Sequence, residues 1–138
     1  MKTKVFALVL GLITISTFAQ KNELKTADKA IKIKDYSAAM TAVTAAESLL
    51  SKMDDKSKAK FYFLKAQAYF GKKDYQTAAN TFEKLFSLED QIGKKRYTEL
   101  ARTIQSKMVQ DVYQQASDQY AAKDYKNAAN NFYLSYML

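Results

Sequence analysis

Apolar side chains return at intervals of three and four along most of this chain, and three stretches carry the same run. After Tyr36 come Ala39, Met40 and Val43; after Tyr75 come Ala78, Ala79 and Phe82; after Tyr125 come Ala128, Ala129 and Phe132. Offsets of 0, 3, 4 and 7 put four side chains on one face of a helix. Each run follows the same phrase: Lys34-Asp35-Tyr36, Lys73-Asp74-Tyr75, Lys123-Asp124-Tyr125. The phrase predicts a turn whose Asp caps the helix that opens at Tyr. A unit with one apolar face must bury it on a neighbouring unit, so the repeat predicts stacked helix pairs and an all-α fold.

The remaining periodicity fills in the partner helices. Leu24, Ala27 and Ile31 predict a first helix from Lys21 to about Ile33, and the second runs from Tyr36 to roughly Lys52. One aspartate of Asp54-Asp55 caps a third helix over about 56–71, where Tyr62, Ala66 and Tyr69 share a stripe. The fourth spans Tyr75 to about Leu88, with Glu89-Asp90 in the following turn and Gly93 as the breaker. From Lys95 to Ala122 neither Gly nor Pro intervenes. That predicts one helix of about 28 residues, ~42 Å long. Leu100, Ile104, Met108, Val112 and Tyr113 form its apolar side, and a break near Ser106 is the alternative. A sixth helix starts at Tyr125. The units are then about 20–54, 55–90 and 94–138, with copies of the phrase 39 and then 50 residues apart.

The first residues follow a different rule. Lys2 and Lys4 precede an uncharged, mostly apolar run from Val5 to Phe18, and Thr17-Phe18-Ala19 places small residues three and one before a cut. This predicts a signal peptide over 1–19, cleaved before Gln20. The run is roughly 14 residues against the ~20 of a spanning helix, so no membrane insertion is expected after cleavage. Localisation is then the periplasm or outer envelope surface, and no Cys is present for a lipid anchor.

Composition narrows the chemistry. The chain has no Cys, His, Trp or Pro and a net charge of +8; loss of Lys2 and Lys4 would lower it to +6. Without disulfides, stability must come from packing. Without His and Cys, the usual transition-metal sites are missing, as is the commonest acid–base side chain near neutral pH. We expect no cofactor and no enzyme: Asp54-Asp55 and Glu89-Asp90 read as turn acids, and no activated nucleophile is evident. Lysines cluster at 56, 58 and 60, at 72 and 73, and at 94 and 95 beside Arg96. An exported chain meets little nucleic acid, so these read as solvated helix ends.

Helix pairs with a small residue and aromatics in the first helix, then Tyr, Ala and an aromatic in the second, resemble tetratricopeptide repeats. The middle unit carries the likeness best, through Tyr62, Ala66, Tyr69, Tyr75, Ala78, Phe82 and Leu85. The first keeps Ala27, Tyr36, Ala39, Val43 and Ala46, and the third Ala116, Tyr125, Ala128 and Phe132. Lys65 departs from the family's Leu, no unit ends in Pro, and the spacings exceed the family's. The leader and the Lys-Asp-Tyr phrases are also similar to exported repeat proteins of Bacteroidetes-type bacteria. The resemblance implies a right-handed α-solenoid of three antiparallel helix pairs, the third with an extended first helix. It also implies packing roles for Ala66, Ala78, Tyr36, Tyr75 and Tyr125, and a concave groove formed by the first helices.

Carried onto this chain, the groove residues are Leu24, Asp28 and Ile31, then Lys60, Phe63, Gln67 and Phe70, then Tyr113, Ser117 and Tyr120, rimmed by Lys21 and Gln110. Large apolar side chains on such a groove point to a protein or peptide partner; the competing reading has Phe63 and Phe70 packed on neighbouring units. The clamp that binds chaperone tails needs Lys and Asn where this chain has Leu24, Asp28, Gln110 and Gln114, so that ligand is not expected. The expectation is a non-catalytic envelope scaffold. The alternative is a basic module for anionic lipid or glycan polymers, which salt would screen away. The apolar run from Phe132 to Leu138 lacks the polar outer face of a capping helix. It predicts a chain that continues further or self-association through this helix.

Overall fold

The computed structural model describes residues 21–138. The expected leader, 1–19, and its cut before Gln20 lie outside the described residues. Helix α1 covers 21–32. It is followed by α2 (Tyr36–Glu47), a 3₁₀ turn (Leu50–Lys52), α3 (Asp55–Gly71), α4 (Tyr75–Ile92), α5 (Thr98–Ala121) and α6 (Tyr125–Met137). The fold is all-helical, with no strand among the described residues.

The thrice-written phrase builds one turn three times. Lys34, Lys73 and Lys123 adopt left-handed backbone, with φ of 61°, 62° and 63°. The amide of each following Asp donates five residues back into the preceding helix, to the carbonyls of Ala30, Tyr69 and Gln119. The lysine amides donate to Ile31, Phe70 and Tyr120. This pair of bonds closes a helix at a left-handed residue. The same aspartates then accept from the amides of Ala38, Thr77 and Asn127, opening the next helix. One dipeptide therefore ends one helix and starts another. A left-handed L-residue costs ~1–2 kcal/mol, whereas glycine's greater freedom in the unfolded chain offsets roughly 0.4–1 kcal/mol. Lys73→Gly should accordingly raise stability by some tenths of a kcal/mol, read as a higher urea midpoint. A lower midpoint would mean that the lysine side chain holds the turn.

Helix α3 is the hub. Phe61, Leu64 and Ala68 are buried on one side of it, Ala59 and Ala66 on another. The first side joins Leu24, Ala27, Val43, Ala46 and Met53 from the preceding segments. The second joins Ala78, Phe82 and Leu85 of α4 and Ala101, Met108 and Val112 of α5. A helix apolar on opposite sides must be covered on both. The Lys65 ammonium lies over the Phe61 ring, 5.5 Å from its centroid, and reaches Glu47 at 2.6 Å. Gly71 ends α3 under the ring of Tyr36; a methyl group there would sit 2.2 Å from a ring carbon, so only glycine allows this approach.

Several boundaries and faces differ from those the sequence predicted. Helix α2 stops at Glu47: the Ser48 hydroxyl donates to Ala45 O, and the Leu49 amide reaches back only to Ala46. Such tightening leads into the 3₁₀ turn and delivers Met53, 4% exposed, to the core. Helix α4 runs a turn beyond Leu88, so Glu89 is helical and fully buried, and Asp55 is the first residue of α3. Helix α5 is unbroken at Ser106. Its buried side is Ala101, Met108, Val112 and Ala116; Leu100 and Tyr113 are exposed. Tyr75 is buried, but Tyr125, expected to be core, is 57% exposed because no further helix lies over it among the described residues.

Candidate functional site

Helices α1 and α3 lie close enough for Asp28 to bridge them. Its carboxylate meets Lys32 of its own helix at 3.2 Å and Lys60 of α3 at 3.6 Å. Beside this bridge a depression of about 300 Å³ is lined by Lys21, Leu24, Asp54, Lys56, Ser57, Lys60 and Tyr97. Leu24 forms part of its wall while being buried among core side chains, and the three lysines supply charge around it. Lys21 and Lys56 close no salt bridge among the described residues.

Asp54 is already committed. It accepts from the amide of Ser57 at 2.7 Å as the N-cap of α3. Hydrogen bonds from the Ser57 side chain and backbone, aided by Lys56 and Lys21, hold its carboxyl below the usual 3.8. A lowered folded-state value means that the contribution to stability is present above pH 3.8 and is lost as pH falls through that lower value. Asp54→Asn keeps the cap without the charge. The stability difference between wild type and this variant should therefore shrink between about pH 5 and pH 2 in thermal melts; a constant difference would refute the charge contribution.

Tyr97 closes the depression from the segment before α5. Its ring stacks on Phe63 with centroids 4.8 Å apart. Burial, opposed by Arg96 and assisted by Asp28 and Glu89, raises its phenol above the ordinary 10.0, so the hydroxyl stays protonated. Tyr97 is held in place from behind. The fully buried Glu89 accepts from the Tyr97 amide at 3.0 Å and from the Thr98 amide and hydroxyl at 3.0 and 2.8 Å. Helix α5 has no capping side chain of its own at Tyr97. A carboxylate from α4 satisfies its first amides instead and complements its dipole.

The predicted groove residues separate into two groups. Leu24, Asp28 and Lys60 meet at the depression. Ile31 packs, half-buried, against two core clusters, and Gln67 is half-buried on α3. Phe63 and Phe70 pack against the main core, 6.5 Å from Phe82 and 6.0 Å from Tyr75 between ring centroids. Their bulk is taken up by neighbouring units, as the competing reading had it. Tyr113 and Tyr120 lie apart from the depression, against Phe132 and Tyr125 of α6 at 5.3 Å each. Ser117 donates its hydroxyl to Tyr113 O within α5. Tyr97 and Glu89 were missed. The sequence placed Tyr97 inside a helix expected from Lys95, whereas α5 opens at Thr98; the lack of any capping side chain at that start was the available signal for a cap supplied from elsewhere.

Among the described residues, no helix is long and apolar enough to cross a membrane, and no group of three acidic, His or Cys side chains could hold a metal ion. No protein-family model, curated protein or solved structure matches the chain.

Proposed function

We propose that this chain is a non-catalytic binding scaffold, a right-handed α-solenoid of three antiparallel helix pairs similar to tetratricopeptide repeats. It works after export in a bacterial envelope and takes an acidic peptide or protein segment into the α1–α3 depression. The observation that carries the reading is the convergence of Lys21, Lys56 and Lys60 beside Leu24 and Tyr97, where Lys21 and Lys56 act on Asp54 through charge but close no salt bridge among the described residues. Lysines around an apolar floor suit a carboxylate followed by an apolar side chain, and a protonated phenol adds a donor. The recurring turn and ring pairs support the stacked architecture, since units with the same internal geometry stack in the same way.

The test is an array of short peptides, acidic and neutral, probed with wild type and with the Lys21→Glu, Lys56→Glu double variant. Acidic peptides carrying an apolar residue should bind wild type and lose at least tenfold in affinity to the variant, whose circular dichroism stays unchanged. Equal binding by both proteins would remove the depression as the site. Retention on anionic vesicles with no peptide preference would favour the lipid and glycan alternative.

A further inference from the structure

The middle and last units carry equivalent ring pairs in opposite environments. Phe63 with Phe82 and Phe70 with Tyr75 recur, 50 residues later, as Tyr113 with Phe132 and Tyr120 with Tyr125. In the middle unit these rings pack against a core that includes Ala101, Met108 and Val112 of α5. In the last unit Tyr113, Tyr120 and Tyr125 are 57%, 61% and 57% exposed. Phe86 of the middle unit lies under the Arg102 guanidinium at 4.7 Å, whereas its counterpart Tyr136 is 83% exposed. The face is the kind this molecule covers elsewhere, and among the described residues nothing covers it here.

We propose that this face binds a second copy of the chain, α5–α6 against α5–α6 across a two-fold axis. Three observations select that occupant. The stripe on α6 is Tyr125, Ala129 and Tyr136, exposed, with the half-buried Phe132 between them, and its spacing of four, three and four is that of a seam between two helices. Helix α6 has a single charged side chain, Lys126, so two copies face each other with little repulsion. Helix α1, by contrast, exposes Lys25, Lys29 and Lys32, which a head-to-tail stack would have to desolvate against tyrosines. Area is sufficient as well. At about 200 Å² per tyrosine, the open parts of Tyr113, Tyr120, Tyr125 and Tyr136 amount to roughly 500 Å² per chain. Two copies would bury about 1,000 Å² through these rings alone, the threshold of specific interfaces. The contact is isologous, so it closes at a dimer.

Sedimentation velocity over a concentration series reads the association, and the chain's lack of cysteine makes a second readout clean. The expected result is a reversible dimer. Tyr125→Glu with Tyr136→Glu should raise its dissociation constant at least tenfold at unchanged helix content. Tyr136→Cys should form a disulfide-linked dimer on mild oxidation, and Lys25→Cys should not. A chain that stays monomeric to about 1 mM, where any specific contact of this size would register, overturns the proposal and leaves the face to a different helix. A dimer indifferent to both tyrosines, or one that cross-links Lys25→Cys to Tyr136→Cys in a mixture, overturns it equally.

Discussion

Replacing Glu89 with Ala is expected to destabilise the fold by about 3–5 kcal/mol, the loss typical of breaking a buried charged network. The side chain is fully buried and is the acceptor for two amides and a hydroxyl at the start of α5. Its removal strands those donors where water does not reach and opens a void besides. Each buried unsatisfied donor costs ~1–3 kcal/mol. Glu89→Gln keeps the volume and one acceptor but aims an amide donor at other donors, so an intermediate loss of about 2 kcal/mol is expected. Thr98→Val removes only the hydroxyl and should cost about 1 kcal/mol. Urea unfolding of the three variants gives the series directly. A loss below about 1 kcal/mol for Glu89→Ala would mean that α5 finds another cap at little cost.

Phe82→Ala should cost about 3–5 kcal/mol, as for other fully buried rings, whereas Phe132→Ala should cost only about 1 kcal/mol because its ring is half open. The two residues hold the same place in their units, 50 apart, with the same ring partner position. Phe82 is 0% exposed and also stacks on Phe86 at 6.2 Å. The pair thus separates what the repeat position contributes from what the neighbouring helix contributes. Measured at a concentration where the chain is monomeric, similar losses for the two would show that ring pairs within a unit dominate. A threefold gap would assign most of the energy to coverage by α5.

Helix existence was legible because it rests on local periodicity, and the turns because Lys-Asp-Tyr encodes a left-handed stop followed by a cap. Ala39, Ala66, Ala78 and Ala116 were placed correctly for the same reason: a small residue at a fixed offset marks where helices approach. What failed was coverage. Nothing in the local pattern distinguishes Phe63 from Tyr113, because the difference lies in whether a later helix reaches over them. The α5 stripe was misplaced toward Leu100 and Tyr113 because leucine and tyrosine outrank alanine in hydropathy, whereas Ala101, fully buried, fits where α5 crosses the middle unit. Glu89 was assigned to a turn because adjacent acids usually lie in one. Its role depends on Tyr97 and Thr98 folding back over it, which no window of sequence shows. Of the candidate site, Lys21, Lys60 and Leu24 were legible as first-helix positions, whereas Lys56 had read as a solvated helix end and Tyr97 had been placed inside the helix expected from Lys95, which opens only at Thr98.

Helix α5 belongs to two neighbourhoods at once. Ala101, Met108 and Val112 sit in the core around α3 and α4, while Tyr113, Gln119 and Tyr120 engage α6. In native-state hydrogen exchange, a helix shared in this way should register as two cooperative units meeting within one rod. Amides up to about Val112 would open only with global unfolding, and those of α6 through a smaller excursion that leaves the first four helices intact.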